Sequence, residues 1–240
     1  LVFLFAFLTD RLPGVLDRSV SGPLPLAEAE QIKKSQPPSK EAEKAEVMRG
    51  STIVVPEAPP ALAEKLDGQV LLKCGDKITT DHIMPAGAFL KYRSNVPQYS
   101  KYVFNCFNEE DKLTFAQRGL ALKAQDVAGI VVGGDSYGQG SSREHAALCP
   151  MYLGVRVVIA KAIERIHKAN LINFGILPLL FKDPEDYDKI KQGDVLVIDN
   201  VREQLKDSER ITVKNTTQNY EFETVARLSE RDRKILLAGG

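Results

Sequence analysis

Apolar positions along the chain fall into short blocks divided by polar, glycine-marked stretches. Blocks of strand length, rich in β-branched and aliphatic residues, occur at 70–73, 130–132, 155–160, 176–181 and 195–198. Between them, residues 141–153 and 162–174 read as helices, each followed by a glycine (Gly154, Gly175) where a left-handed C-terminal residue is expected. Ile163, Ile166 and Ala169 give the second of these an apolar face. Residues 211–214 and 220–226 predict a hairpin across a polar turn. Ser229 with Asp232 predicts the cap of a last helix over 230–237. Strand, helix, strand, helix, strand and then a hairpin predict an α/β domain over about residues 50–240.

The N-terminal part has a different texture. Residues 1–18 open on the run LVFLFAFL, too short for a bilayer that needs roughly 20 apolar residues. No basic segment precedes it and Ala6 lies inside it, so it reads as the remnant of a preceding domain or an unplaced segment. A chain that opens on Leu1 reads as a processed product or a piece of a longer one. Residues 19–62, rich in Pro, Glu, Lys and Ala, read as a linker in which 40–48 predicts a short solvated helix. The domain proper is expected over 63–240.

Charge and cysteine content narrow the functional classes. Thirty-two Lys and Arg balance thirty-two Asp and Glu, so no net field gathers nucleic acid or an anionic membrane, and neither is expected as a partner. Cys74, Cys106 and Cys149 form no C-x-x-C pair, which predicts neither a metal site nor a disulfide framework in this chain. A reducing compartment is expected: cytoplasm, or the mitochondrial matrix for a eukaryotic sequence.

Candidate chemistry concentrates in residues 131–148, VVGGDSYGQGSSREHAAL. A strand block ends in Gly133-Gly134, Gly138 and Gly140 punctuate the loop, and Ser141-Ser142-Arg143-Glu144 opens the predicted helix. Ser141 and Glu144 match a capping box, which explains a serine there without any catalysis. Capping alone requires neither four glycines nor Arg143, whose charge opposes the helix dipole. Close backbone approach, free amides and a guanidinium fork predict an anion site for a carboxylate or a phosphate, and also fit a stabilised serine alkoxide. His145, one turn after Ser141, would share its helical face and polarise it. A second cluster, Thr79-Thr80-Asp81-His82, reads equally as an acid/base pair or as a polar turn.

These segments carry a resemblance. DSYGQGSSREHAAL at 135–148, TTDHIMPAGA at 79–88 and AIERIHKANLINFGILPLLF at 162–181 are similar, in order, to the C-terminal swivelling domain of the aconitase family. The resemblance spans about residues 50–240. It implies a swivelling-type α/β domain with a mixed sheet or barrel-like β core flanked by helices, preceded by an extended linker. It implies a hydro-lyase that isomerises citrate and isocitrate through cis-aconitate, with Ser141 as the base that takes the proton next to a carboxylate. Ser142 and Arg143 are implied to bind a substrate carboxylate, Arg93 a distal one, and Asp81 with His82 to support the base or Arg93. The family's [4Fe–4S] cluster is implied to sit on other domains, in the same chain or on a large subunit, so the isolated chain is expected to be inactive. The small subunit of a 3-isopropylmalate or homoaconitate dehydratase is the runner-up, weakened by Gln139 where such loops more often carry Cys, and by Arg93. An RNA-binding relative is the reading of another class, opposed by the neutral charge.

Overall fold

The computed structural model describes residues 49–54 and 56–240. Seven strands, β1 (Leu66–Lys73), β2 (Ala128–Gly133), β3 (Val155–Ala160), β4 (Leu177–Phe181), β5 (Val195–Ile198), β6 (Arg210–Asn215) and β7 (Tyr220–Val225), close into a barrel in the order β1-β2-β3-β4-β7-β6-β5. The first four run parallel to their neighbours. The junctions β4–β7, β7–β6, β6–β5 and β5–β1 are antiparallel. The β core is therefore mixed, and closure leaves no strand edge unpaired.

Alternation along the strands explains why the parallel ones read as continuous apolar blocks. Val70, Ile130, Val132, Val157, Ile159, Leu177 and Leu179 join a core to which all seven strands contribute, the barrel interior. Leu71, Val131, Val155 and Val158 face a second core beneath the flanking helices, shared with Ala146, Ala147 and Cys149. A strand buried on both faces has no polar side to show.

Eight α-helices, with three short 3-10 helices, accompany the strands among the described residues: α1 (Thr80–Ile83), α2 (Val96–Tyr99), α3 (Phe115–Lys123), α4 (His145–Tyr152), α5 (Arg165–Asn173), α6 (Asp186–Lys189), α7 (Val201–Asp207) and α8 (Glu230–Ala238). The Ser229–Asp232 capping box of α8 forms as expected. The box expected from Ser141 and Glu144 does not. The helix starts at His145, with Glu144 as an N-cap that makes no side-chain bond. The helix expected from residue 162 starts at Arg165. Helix α3, opened by a Thr114–Gln117 capping box, was not anticipated.

Residues 1–48, which include the apolar opening and the helix expected at 40–48, lie outside the described residues. Of the stretch whose composition reads as linker, residues from Gly50 onward fall in the same compact unit as the barrel. The Val54 N–H donates to the Ser94 carbonyl at 2.9 Å, and Leu62 is buried.

Candidate active site

The segments that follow β1, β2 and β3 meet at the C-terminal ends of these parallel strands, where open α/β sheets place their ligands. Backbone pairing holds them together. Gly138 and Gln139 both donate to the Ile78 carbonyl, at 2.7 and 3.0 Å, and the Thr80 N–H donates to the Gln139 carbonyl at 2.9 Å. On the other side the Tyr137 N–H donates to Ala162 and the Glu164 N–H to Tyr137, each at 2.9 Å. At the loop's root, Asp76 Oδ1 accepts from the Asp135 N–H at 2.8 Å. A Cβ on Gly134 would fall 2.0 Å from that carboxylate oxygen, so the approach requires glycine.

This pairing explains why residues 141–144 are not helical: the chain is held by the 78–80 segment until the loop has crossed it. Ser141 and Ser142 are left exposed. Neither hydroxyl, nor any backbone N–H from Ser141 to His145, has a hydrogen-bond partner among the described residues. Five consecutive backbone donors without a partner, beside two hydroxyls, are the donor types that an anion-binding loop uses. A cavity of about 220 Å³ opens there, lined among others by Thr80, Ser141, Ser142, Arg143, His167 and Asn170.

Arg143 reaches back across 62 residues to Asp81, Nη2 donating to Oδ2 at 2.9 Å and Nη1 to Oδ1. Nη1 also reaches the Met84 carbonyl at 3.4 Å. The Arg143 fork holds the Asp81 carboxyl below its ordinary range, assisted by the Ala86 N–H, and Asp81 in turn raises the guanidinium. Asp81 occupies the end-on edge of the guanidinium. A guanidinium carries five N–H groups, so the side-on pair, Nε–H with the second hydrogen of Nη2, stays free for another carboxylate.

The other expected site residues are placed differently. His82 Nδ1 accepts from the Thr79 N–H at 3.1 Å while Thr79 Oγ1 accepts from the His82 N–H at 3.2 Å. The polar-turn reading of this cluster thus describes its backbone, and Nε2 of His82 carries the proton of the neutral ring. His82 packs edge-on toward Phe107 and makes no hydrogen bond to Ser141. The Arg93 side chain is exposed, without a partner among the described residues, and does not line the cavity. The helical turn that Ser141 and His145 were expected to share does not form, because the helix starts at His145. Its Nε2 donates to the Arg93 carbonyl at 2.9 Å and its ring packs on Tyr99 at 5.3 Å, so it joins the Arg93 segment to the start of α4.

Over residues 87–184 the sequence matches the family described as the aconitase C-terminal domain. Residues 87–184 belong to that family. The match takes in Arg93, Ser141, Ser142 and Arg143, and stops short of Asp81 and His82. A probable mitochondrial aconitate hydratase of Dictyostelium discoideum is 38% identical over 80% of this chain and 27% of its own length. A mitochondrial homocitrate dehydratase of Saccharomyces cerevisiae is 36% identical over 69% of this chain and 23% of its own. The chain thus spans between about a fifth and a quarter of the length of the curated relatives it matches. A crystal structure of 3-isopropylmalate dehydratase from Methanocaldococcus jannaschii is similar at a TM-score of 0.56 and 29% identity, over 73% of this chain and 90% of that one.

The cluster that the aconitase family implies does not fit the described residues. No group of three or more His, Cys, Asp or Glu side chains among them would hold a metal ion. Burial pushes the Cys74 and Cys149 thiols up to about 12 and raises that of Cys106, the wrong direction for thiolate ligands. No described helix is long and apolar enough to cross a membrane.

Proposed function

We propose that this chain supplies the base and the carboxylate-binding groups of an aconitate hydratase, which interconverts citrate and isocitrate through cis-aconitate. The observation that carries the reading is the Arg143 guanidinium, held end-on by Asp81 with its side-on pair free, beside the exposed Ser141. A substrate carboxylate on that free edge brings its neighbouring C–H toward Ser141. The Ser141 oxygen removes the proton, and the C–H electron pair forms the double bond as the hydroxyl leaves the next carbon. A serine does this only if its alkoxide is stabilised beforehand, which the free N–H groups of 141–145 and the Arg143 charge supply. Ser142 donates to the same carboxylate, and Arg93 receives a distal carboxylate from the rim of the site. Asp81 and His82 support this site together, Asp81 by holding Arg143 and His82 by fixing the turn that carries Asp81.

The group that takes the leaving hydroxyl, the [4Fe–4S] cluster included, belongs in this reading to cluster-bearing domains of the same chain or a large subunit. The mitochondrial relatives favour the matrix over the cytoplasm first expected. A second reading, the small subunit of a 3-isopropylmalate dehydratase, is supported by the barrel's likeness to that solved chain over 90% of its length. Mixing this chain with the cluster-bearing part and following aconitate formation from citrate, with isopropylmalate as rival substrate, separates the two. Turnover of isopropylmalate alone overturns the first reading, and turnover of neither overturns both.

A further inference from the structure

His167 lies on α5 at 2% exposure, and both its ring nitrogens lack a hydrogen-bond partner among the described residues. Asn170, three positions on along the same helix, leaves Nδ2 unpaired as well. The large majority of buried polar side-chain atoms are paired, and a neutral imidazole offers one donor and one acceptor. Three orphans on one helical face therefore require an account, and they line the same cavity as Ser141, Ser142 and Arg143.

The ring sits directly against the serine loop. A Cβ on Gly138, whose φ is +87°, would meet Cγ and Cδ2 of His167 at 2.3 Å each, so only glycine lets the backbone rest on the imidazole. The Tyr137 ring packs on it from the side, centroids 5.4 Å apart. Burial lowers the His167 pKa to about 4, so the ring is neutral near pH 7. A phenyl ring would fill a similar space without stranding two nitrogens, so a polar ring here costs stability that packing alone does not require. Features that cost stability next to a site mark function.

We propose that His167 is a positioning residue for Ser141: its ring sets the height of the loop from Gly138 to Ser142, and its nitrogens are paired by that loop's polar groups when the loop closes on a carboxylate ligand. The loop offers what each nitrogen needs. Backbone carbonyls accept from the ring N–H, and one of the unpaired backbone N–H groups at Ser141 and Ser142 donates to the bare nitrogen. Left-handed φ at Gly138 and Gly140 provides the joints for the small shift required.

The inference rests on Ser141 as the base, and two readouts separate the two ideas. In the enzyme assembled with its cluster-bearing part, His167→Phe should hold or raise Tm and leave KM unchanged while kcat falls at least about tenfold. His167→Gln, which keeps a donor and an acceptor, should recover most of that loss. A His167→Phe enzyme that turns over like wild type overturns the proposal, as does one that loses Tm and kcat together with no recovery in His167→Gln. Independently of turnover, the ring ¹⁵N resonances of His167 should move when citrate is added to the protein. Resonances unmoved at saturating citrate overturn the pairing even if Ser141 proves to be the base. Resonances that move, with an assembled enzyme in which Ser141→Ala turns over like wild type, leave the pairing standing and reject the base.

Discussion

Replacing Asp81 by Asn removes the carboxylate that orients Arg143 while keeping the shape of the side chain. The Asp81 side chain is 60% exposed and that of Arg143 24%. An ion pair this open to solvent contributes at most about 1 kcal/mol to folding, so the variant should unfold within about 1 kcal/mol of wild type. Catalysis should respond more strongly. Asn puts an NH2 donor where Asp81 has its second acceptor oxygen, so the two-oxygen fork is lost and the guanidinium, free to rotate, no longer presents its Nε–Nη2 edge to the substrate. A hydrogen bond to a charged group is worth about 1.5–3 kcal/mol. At 1.36 kcal/mol per factor of ten this is roughly a 10- to 150-fold loss in kcat/KM. Denaturant unfolding paired with steady-state turnover of citrate in the assembled enzyme measures both. A kcat/KM within about twofold of wild type would refute the positioning of Arg143 by Asp81. A stability loss above about 3 kcal/mol would make the pair a structural element instead.

Ser141→Ala should lower kcat by at least the roughly 10²–10⁴-fold of a lost general base, and near-wild-type turnover would remove Ser141 from that role. Arg93→Lys keeps the charge but loses the fork, so it should raise KM more than it lowers kcat, and an unchanged KM would take Arg93 out of the site. The buried His167 gives the fold a pH signature. Its folded pKa of about 4 lies below the ordinary 6.5, so between these values the unfolded chain binds the proton more readily. Stability is full above pH 6.5 and falls as the pH drops through that window, by about 3 kcal/mol once below 4. Urea midpoints between pH 6.5 and 4 should show this slope, and His167→Phe should flatten it.

What the sequence reveals depends on whether the deciding contacts are local. The strands at 155–160 and 195–198 are found at their predicted bounds, because β-branched runs with two buried faces leave no competing pattern. The last helix is legible because Ser229 and Asp232 satisfy each other three residues apart. The Ser141–Glu144 pair has the same local signature and fails. Here the Ile78 carbonyl, some 60 positions upstream, accepts from both Gly138 and Gln139 and holds the chain out of the helix. Barrel closure is equally non-local, since β7 pairs with β4 and β5 with β1 across intervening elements. The glycine-rich segment was readable as a site because its composition exceeds what a turn requires. Which carboxylate orients Arg143 was not readable from the loop itself. His167 carried no signal at all: burial and two unpaired nitrogens are properties of packing, visible only once Gly138 is placed against the ring.

The placement of Ser141 ahead of α4 also changes where its reactivity originates. A serine at the first turn of a helix would rely on the helix dipole, a term that fades within one turn. Four residues upstream of His145, Ser141 would as a base depend instead on the unpaired N–H groups of its own loop and on the Arg143 charge. Much of that charge is offset by Asp81, so the net positive potential at the serine is modest until a second carboxylate takes the side-on edge. On the proposed reading, Ser141 stays a neutral hydroxyl until substrate and the cluster-bearing domains exclude water, when the same donors act in a lower dielectric. The isolated chain should therefore bind tricarboxylates weakly and catalyse nothing, while the same residues become effective in the closed assembly.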